Sequence, residues 1–557
     1  MIRWSSAFLA TLIAFAPLHG DNEITKDEMI GFMDSVKCLF EGRYAPNQWK
    51  QGYCQWDCSR EMEKVKSEIH QSQDLTVKGF QRSLRKFFNS TKDYHVNVAY
   101  HSTEWAMLPF RVKGIGNRYY ITYVDDDKLG DGFNIEVGDE LVNFGGENPH
   151  DVILGLIESS TPSATDETDR SIAEVKLTLR SGWSGDVVPR DPLTVTFQSK
   201  ETGSLNTYQL IWDYHPEAVP DCQIVEKATN QLPKLFDAEK MKMDRAFPLA
   251  TNIKKCQMKM TQDPNEFGER VSFLPRLGEV IWSTPESNPF DAYLYYDEDH
   301  RVMGYLRIPH YMFDEDEVAQ FAEVIEVLQE NADALVLDQL NNTGGNLFIA
   351  YGFASMLTDK PLVTPKEHML LSQYELMDAF MILDALDWVQ SAEDAKNLFG
   401  ETFFGNPVTY QMILFIREYC RFLQDQWIQG KYYTDLTHIF GIDHVNPHPK
   451  VRFTKPIVML INGLDFSCGD FFPAIMQDNK RVTLLGTRTA GAGGFVVGHQ
   501  IANRLGIYYM TITGSLGIRL NGQPIENLGV QPDIVNELTV EDISGNYQNY
   551  VKKIHET

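Results

Sequence analysis

The sequence predicts a multidomain α/β protein, and three successive hydrophobic patterns along its 557 residues indicate this fold class. Apolar residues recur at three- and four-residue spacing in residues 26–88, which is typical of helices. Alternating, turn-rich sequence follows in residues 108–212 and is typical of strands. From residue 281 onward, apolar strand-like runs alternate with amphipathic helices. That alternation predicts a βαβ core in the C-terminal half of the chain.

The first twenty residues have the layout of a secretory signal peptide. Arg3 precedes an apolar stretch, residues 7–16, and small residues end the segment at Gly20. The apolar stretch is too short to span a membrane as a stable helix, and a buried N-terminal helix is the alternative interpretation. We expect residues 1–20 to direct export of the chain, and no later stretch reaches membrane-spanning length without charges.

Composition and charge exclude several classes of partner. The net charge of −27 would repel the phosphates of nucleic acids. The seven cysteines are odd in number and scattered, which argues against a disulfide framework, although Cys54 and Cys58 could form a bridge or half a metal site. No second pair of ligands stands at zinc-like spacing, and no phosphate-binding loop is present. We therefore expect no metal and no other cofactor.

Two regions precede the core: an N-terminal helical domain, residues 21–107, and a β-rich module, residues 108–215. In the first, "DYHVNVAYH" (93–101) changes to strand-like alternation and contains His95. In the second, "FNIEVGDELVNFGGENPHDVI" (133–153) places tight glycine-containing turns between strands, followed by a helix start. This arrangement resembles the small peptide-binding module called PDZ.

Periodicity is lost between this module and the core, in residues 216–280. Within that segment, residues 239–260 contain six Lys or Arg against two acids, together with four methionines. Such a stretch could dock on an acidic surface, with its methionines filling an apolar groove. A flexible linker explains the composition equally well, so both interpretations stay open.

The core, residues 281–557, contains two strand-to-helix turns with small or polar residues. The first is "NNTGG" (341–345), and the second lies within "NGLDFSCGDFFPAI" (462–475) and contains Ser467. They are separated by far more than the roughly thirty residues of one crossover unit. Residues 366–450 are therefore predicted to form a helical insertion in the core.

These two turns could form one site, because α/β sheets place their sites at the carboxyl ends of strands. Gly344 and Gly345 can turn backbone N–H groups toward a ligand, and Cys468 offers another N–H. Such donors stabilise an anionic tetrahedral intermediate. From these residues alone, Ser467 is either a nucleophile or an ordinary helix cap. Cys468 is either a second nucleophile or a small packing residue.

Six motifs in one order resemble the tail-specific and tricorn-like serine proteases, and more closely their chlamydial protease-like activity factor branch. The motifs are "RYAPNQWK" (43–50), "DYHV" (93–96), "DQLNNTGG" (338–345), "DFSCGDFFP" (465–473), "GTRTAGAGGFV" (486–496) and "PIENLGVQPDI" (524–534). The resemblance runs from the signal peptide to near the C-terminus. It implies a crotonase-like βαβ catalytic core with a helical insertion, a PDZ-like module and an N-terminal helical domain that carries the catalytic histidine.

The resemblance implies a Ser–His–Glu triad made of Ser467, His95 and Glu526. Tail-specific proteases pair their serine with a lysine, but the corresponding stretch here, "TAGAGG" (489–494), has none, so a Ser–Lys dyad is not expected. An imidazole can take the serine proton, and a carboxylate can orient the imidazole. His499 is the alternative base, and Glu526 could instead cap a turn. The implied oxyanion hole consists of the N–H of Cys468 and that of Gly344 or Gly345.

The expected function is that of a serine endopeptidase acting through an acyl-enzyme. The resemblance further implies secretion into a host cell, cleavage of host proteins, homodimerisation and self-processing of a zymogen in which residues 216–280 are inhibitory. Two other classes stay open: a periplasmic tail-specific processing protease and a non-catalytic peptide-binding scaffold. No nucleic acid, membrane span or cofactor is expected.

Overall fold

The structure is a computed structural model. The described residues are 24–73, 75–129, 132–217 and 267–557. The predicted signal peptide, residues 1–20, and the basic stretch, residues 239–260, lie outside them. No helix in the described part of the chain is long and apolar enough to cross a membrane.

Helices form the N-terminal region, as the three- and four-residue spacing predicts. They are α1 (Lys26–Arg43), α2 (Asn47–Cys54), α3 (Cys58–Gln71) and α4 (Val77–Ser90). Thr25, Asp57 and Thr76 precede α1, α3 and α4, and each side chain accepts a hydrogen bond from a backbone N–H of the first turn. These contacts satisfy amide groups that have no partner within the helix.

A small antiparallel sheet joins this helical region to the C-terminal part of the chain. It consists of β1 (Asn97–Tyr100), β23 (Ile507–Thr513) and β22 (Val496–His499), in that order. Residues from both ends of the chain share one apolar core with the helices. His95, two residues before β1, is thereby held against sequence more than 400 residues away, since its backbone oxygen accepts a hydrogen bond from Thr511.

The β-rich prediction for the second region is confirmed. Within the described residues, one sheet contains β3 (Phe110–Ile115), β4 (Arg118–Val124), β5 (Glu140–Phe144), β7 (Leu193–Gln198) and β8 (Leu205–Leu210), and a smaller one contains β6 (Leu179–Ser181), β2 (Trp105–Met107) and β9 (Asp213–His215). The helices are α5 (Asp126–Leu129), α6 (Pro149–Ser160) and α7 (Asp166–Thr178). Their apolar faces and the two sheets enclose a separate core.

The core sheet is mixed, with parallel strands at its centre, as the βαβ pattern predicts. Its order is β10 (Glu279–Ser283), β11 (Ala292–Tyr296), β12 (Val302–Arg307), β13 (Ala334–Asp338), β20 (Ile457–Ile461), β21 (Thr483–Gly486) and β25 (Ile534–Val535). Within this sheet, neighbouring strands pair in parallel in the series β12, β13, β20, β21 and β25. The helices of this region are α8 (Glu315–Asn331), α9 (Leu347–Met356), α13 (Cys468–Asp478), α14 (Val540–Ser544) and α15 (Gln548–Glu556).

The insertion in the core is confirmed, because β13 and β20 are adjacent parallel strands although a long segment separates them in sequence. Its helices are α10 (Gln373–Leu386), α11 (Ala392–Phe399) and α12 (Tyr410–Ile428). It also contains the short strands β14 (Leu362–Val363), β15 (Lys366–Met369), β16 (Thr402–Phe403), β17 (Asn406–Pro407), β18 (Thr437–His438) and β19 (His444–Val445). Helical periodicity did not predict these strands, since β15 depends on pairing with the distant β24 (Ser515–Ile518).

Candidate active site

Ser467 lies at the turn between β20 and α13, at the carboxyl end of the parallel strands. Its backbone angles, φ 58° and ψ −115°, place a non-glycine residue in a sparsely populated region. Its side chain makes no capping hydrogen bond to α13. The helix-cap interpretation is therefore wrong, and the strained turn leaves the hydroxyl unused by the helix.

The buried Asp465 connects the two strand-to-helix turns. Its carboxylate accepts hydrogen bonds from the N–H of Asn462 at 3.0 Å, the N–H of Asn342 at 3.0 Å and the side-chain amide of Gln339 at 3.1 Å. The N–H of Phe466 also donates to the backbone oxygen of Asn342 at 2.9 Å. Burial raises the pKa of Asp465 well above its usual range. The turns are thus fixed to each other before any ligand binds.

The two turns face each other, as predicted. A methyl group placed on Gly344 would lie 2.7 Å from the Cβ of Ser467 and 3.2 Å from the N of Cys468, so the approach requires glycine. The N–H of Gly344 donates to the side chain of Asn342 at 2.8 Å. Among the described residues, no acceptor is present for the N–H of Gly345 or of Cys468. The latter two amides are therefore available to an anionic ligand.

The thiol of Cys468 is a buried packing group. Its Sγ donates to the backbone oxygen of Gly345 at 3.1 Å. Burial raises its pKa to about 12, which disfavours the reactive thiolate. Cys54 and Cys58, considered as a bridge or half a metal site, both carry free thiols. In the described ranges no cluster of His, Cys, Asp or Glu could hold a metal ion.

His95 is a buried imidazole whose backbone is fixed and whose ring is free. The backbone N–H of His95 donates to the carboxylate of Asp93 at 2.8 Å. Neither ring nitrogen has a hydrogen-bond partner among the described residues. Burial lowers the pKa of His95 to about 4, with Asp93 opposing and Lys50 reinforcing the shift. The ring is therefore neutral near pH 7, which is the form that accepts a proton.

The residues that precede His95 and Ser467 contact each other. The rings of Tyr94 and Phe466 are 5.6 Å apart and nearly perpendicular. Helix α7 of the β-rich module and the residue before it contact the segments next to both His95 and Ser467. The Tyr94 hydroxyl lies 3.0 Å from the hydroxyl of Thr165, the residue before α7, and Thr168 donates to the backbone oxygen of Gly463 at 2.7 Å. The predicted base and nucleophile are thus brought into one region by contacts from three parts of the chain.

Glu526 is fully buried, with its side chain bonded on both sides. One oxygen accepts from the N–H of Gly493 at 3.0 Å, and the other pairs with the ammonium of Lys50. In this structure the carboxylate does not bond to the ring of His95. Burial and the charge of Asp93 raise the pKa of Glu526 to about 8, although Lys50 opposes the rise.

The loop 489–494, which has no lysine, connects Glu526 to the helix after the nucleophile. The carboxylate of Asp470, in the first turn of α13, accepts from the N–H of Gly491 at 2.7 Å and of Ala492 at 3.0 Å. The next residue of the loop, Gly493, holds Glu526. The loop therefore serves as a backbone connection within the site.

Sequence reasoning missed Lys50. This lysine belongs to α2 and is fully buried, and its ammonium bonds to Glu526 and to the backbone oxygen of Lys92. It is the last residue of the motif "RYAPNQWK", which was noticed only as part of a resemblance. The signal that could have identified Lys50 was the presence of a lysine in a motif shared with the resembled protease family.

The alternative base, His499, lies at the end of β22 in the three-stranded sheet. It is half-buried, and its Nε2 has no hydrogen-bond partner in the described part of the chain. Burial lowers its pKa to about 4, with Arg43 adding to the shift. Its ring is therefore neutral near pH 7, as that of His95 is. The two histidines differ in where they lie in the fold and not in their charge.

Family models and relatives agree on this architecture. A PDZ domain model matches residues 104–223, and a peptidase family S41 model matches residues 302–536. An uncharacterised protein of Chlamydia muridarum is 32% identical over 97% of this chain and 93% of its own length, and a protein of Chlamydia trachomatis gives the same identity and coverage.

A solved structure extends the similarity to three dimensions. Mature CPAF complexed with lactacystin is 31% identical and superimposes with a TM-score of 0.81, covering 95% of this chain and 97% of that one. Identity above 30% over nearly the whole length, together with the S41 match, establishes the family. The chain therefore belongs to the CPAF-type branch of peptidase family S41 and is a serine-type peptidase with a PDZ domain.

Proposed function

We propose that the protein is a secreted serine endopeptidase whose triad consists of Ser467, His95 and Glu526. The observation that carries this assignment is a serine in a strained turn whose hydroxyl caps nothing, beside a buried imidazole with both ring nitrogens unused among the described residues. A buried polar group without a hydrogen-bond partner raises the free energy of the folded state. Backbone strain of the kind seen at Ser467 concentrates at active sites. Within the described part of the chain, the alternative base His499 has no ring contact like that of Tyr94 with Phe466.

In the proposed reaction, the Oγ of Ser467 attacks the peptide carbonyl carbon while His95 takes the hydroxyl proton. The N–H groups of Cys468 and Gly345 receive the developing oxyanion; Gly344 is less suited because its N–H already bonds to Asn342. Collapse of the tetrahedral intermediate breaks the C–N bond, and the imidazolium protonates the leaving amine. Water, activated by the same imidazole, then hydrolyses the acyl-enzyme.

Glu526 is proposed as the acid that stabilises the imidazolium. The nearby Asp93 is already occupied, because it accepts from the His95 N–H, the Tyr44 hydroxyl at 3.0 Å and the Thr513 hydroxyl at 2.8 Å. Catalytic hydrogen bonds are often open in unliganded enzymes and tighten when substrate binds. Glu526 and His95 share Asp93 and Lys50 as charged neighbours, which supports the role of Glu526 without a direct bond in the free protein.

A fluorophosphonate probe tests the proposed nucleophile. Because the probe reacts with activated serines, we expect one adduct per chain, and peptide mass mapping should place it on Ser467. Heat-unfolded protein serves as the control and should not react. The probe is applied after the incubation that completes any self-cleavage; a folded protein that then stays unlabelled, or an adduct on another serine, would contradict the proposal.

We also propose that the protein is made as a zymogen in which residues 216–280 are inhibitory. The described ends of this segment support the idea. Glu217 is bound by the hydroxyl of Ser102, and Phe267 lies 6.0 Å from the ring of Phe466, next to the nucleophile. The described C-terminal end of the segment thus lies against the active-site turn, and the stretch 239–260 within the segment has six Lys or Arg against two acids, opposite to the acidic charge of the chain.

Incubation of the pure full-length protein tests this zymogen proposal. Wild-type chains are expected to lose a fragment from within residues 216–280 and to gain peptidase activity in parallel, as followed by intact mass and by turnover of a fluorogenic peptide. Ser467→Ala chains should stay intact. Full activity of uncut wild-type protein would reduce the segment to a linker.

The remaining proposals concern location, substrates and assembly. Export is supported by the signal-peptide layout of residues 1–20. Secretion to the host cytosol and cleavage of host proteins are proposed from the motif resemblance to the chlamydial proteases and not from any feature of the site. A homodimer is supported by exposed apolar side chains on α10, which an isolated subunit would leave in water. They are Tyr374, Met377, Phe380, Met381 and Ile382.

A further inference from the structure

We propose that Lys50 is a positioning residue of the active site, which holds the carboxyl group of Glu526 in place and favours its ionised form. This inference rests on the proposed triad and adds to it a residue from the N-terminal helices. It also assigns a role to the motif "RYAPNQWK" (43–50), which neither the nucleophile nor the base explains.

The ammonium of Lys50 has as many acceptors as it has protons. It bonds to a carboxylate oxygen of Glu526, to the side-chain oxygen of Asn527 at 2.7 Å and to the backbone oxygen of Lys92 at 2.7 Å. Lysine and glutamate side chains are both fully buried. A buried ion pair of this kind is maintained only where every donor and lone pair is satisfied, which is the case for this ammonium.

Residues next to Lys50 make further hydrogen bonds to the chain beside Glu526, the proposed triad acid. The indole N–H of Trp49, the preceding residue in α2, donates to the side-chain oxygen of Asn527 at 3.1 Å. The amide of Asn527 in turn donates to the backbone oxygen of Lys92 at 2.7 Å. Asn527 has a φ of 63°, a strained conformation that these contacts stabilise. Helix α2 therefore fixes the backbone that follows Glu526 as well as its carboxylate.

Charge explains why a lysine is needed here. Glu526 shares its buried surroundings with Asp93, His95 and Tyr44, so Lys50 is the cation in this group. Burial and the Asp93 charge favour protonation of Glu526, and the ammonium opposes both. A protonated Glu526 would carry no charge with which to stabilise the imidazolium. The ammonium therefore favours the charged form that the proposed acid needs, because the pKa of Glu526 would be higher still without it.

This role differs from that of the lysine in a Ser–Lys dyad. A lysine that acts as a base must be neutral and must reach the serine hydroxyl. All three protons of Lys50 are used by other acceptors, and one of those acceptors is a carboxylate. Lys50 thus acts through Glu526 and does not touch the nucleophile.

The pH dependence of Lys50→Met separates this role from a purely structural one. Without the ammonium, the pKa values of Glu526 and His95 both rise, so the acidic limb of kcat/KM should move to higher pH by about one unit or more. At pH 7 the loss should be about tenfold or greater, and it should shrink toward pH 9 as Glu526 ionises. Each variant is first incubated with tagged wild-type protein, which is then removed, so that any self-cleavage is complete.

A double-mutant cycle with Glu526→Gln makes the test independent of folding. If Lys50 acts through Glu526, adding Lys50→Met to Glu526→Gln should cost no further activity, and the double variant leaves neither member of this ion pair buried without the other. Lys176→Met is the matched control, because Lys176 forms a largely buried ion pair with Asp186 in the β-rich module, with side-chain exposures of 15% and 3%. It should retain the wild-type pH profile.

The outcomes separate this inference from the proposed function. Wild-type turnover by Glu526→Gln would remove Glu526 from the triad and overturn the proposed function itself. Impaired Glu526→Gln together with a pH-independent loss in Lys50→Met, or with additive losses in the double variant, would overturn the role of Lys50 alone. A shifted acidic limb with non-additive losses supports it.

Discussion

Ser467→Ala is expected to lower kcat/KM for peptide substrates by at least about 10⁴-fold while leaving the fold unchanged. The substitution removes the proposed nucleophile and nothing that the described structure uses, since the hydroxyl caps no helix. The neighbouring Cys468 thiol is a poor substitute nucleophile, because it is buried with its pKa raised. Steady-state kinetics on protein that has been processed by tagged, removable wild type gives the number.

Ser391→Ala is the matched control for this prediction, because Ser391 is a true helix cap. It accepts a hydrogen bond from the N–H of Asp394 at the start of α11. Its loss should cost about 1 kcal/mol of stability and no activity, whereas Ser467→Ala should show the opposite pattern. Ser467→Ala activity within tenfold of wild type would exclude Ser467 as the nucleophile. Residual activity that thiol alkylation removes would implicate Cys468.

His95→Ala is expected to lower kcat/KM by several orders of magnitude, and His499→Ala by only a few-fold. His95 adjoins the nucleophile through the contact of Tyr94 with Phe466, and its ring nitrogens have no other partner in the described chain. His499 lies on β22, where Arg43 is the charged group that influences it. Kinetics of both variants at pH 7 measures the difference.

Each histidine variant removes a buried or half-buried ring, so thermal unfolding should accompany the kinetics. Similar destabilisation of both proteins with loss of activity in His95→Ala alone is the expected pattern. An inactive His499→Ala beside an active His95→Ala would reverse the assignment of the base.

The sequence by itself determined the elements whose cause is local. Residues 26–88 form helices because apolar residues recur at three and four positions and Thr25 and Thr76 supply caps. The strand, turn and helix around Ser467 follow from an apolar run and a Gly- and Asp-containing turn, so local sequence made Ser467 a candidate without separating a nucleophile from a helix cap. The order of the motifs was enough to indicate the family.

Only the tertiary structure decided how these elements meet. Whether Ser467 caps its helix depends on backbone angles that no local pattern specifies. His95 reaches the site because β1 pairs with β23, and Lys50 reaches Glu526 because α2 packs against the C-terminal chain. Such contacts join residues hundreds of positions apart, and their stability comes from burial and from satisfied hydrogen bonds in one core. Periodicity and turn chemistry depend only on the few residues around each position. The pairing of Lys50 with Glu526 therefore becomes visible only in the folded structure.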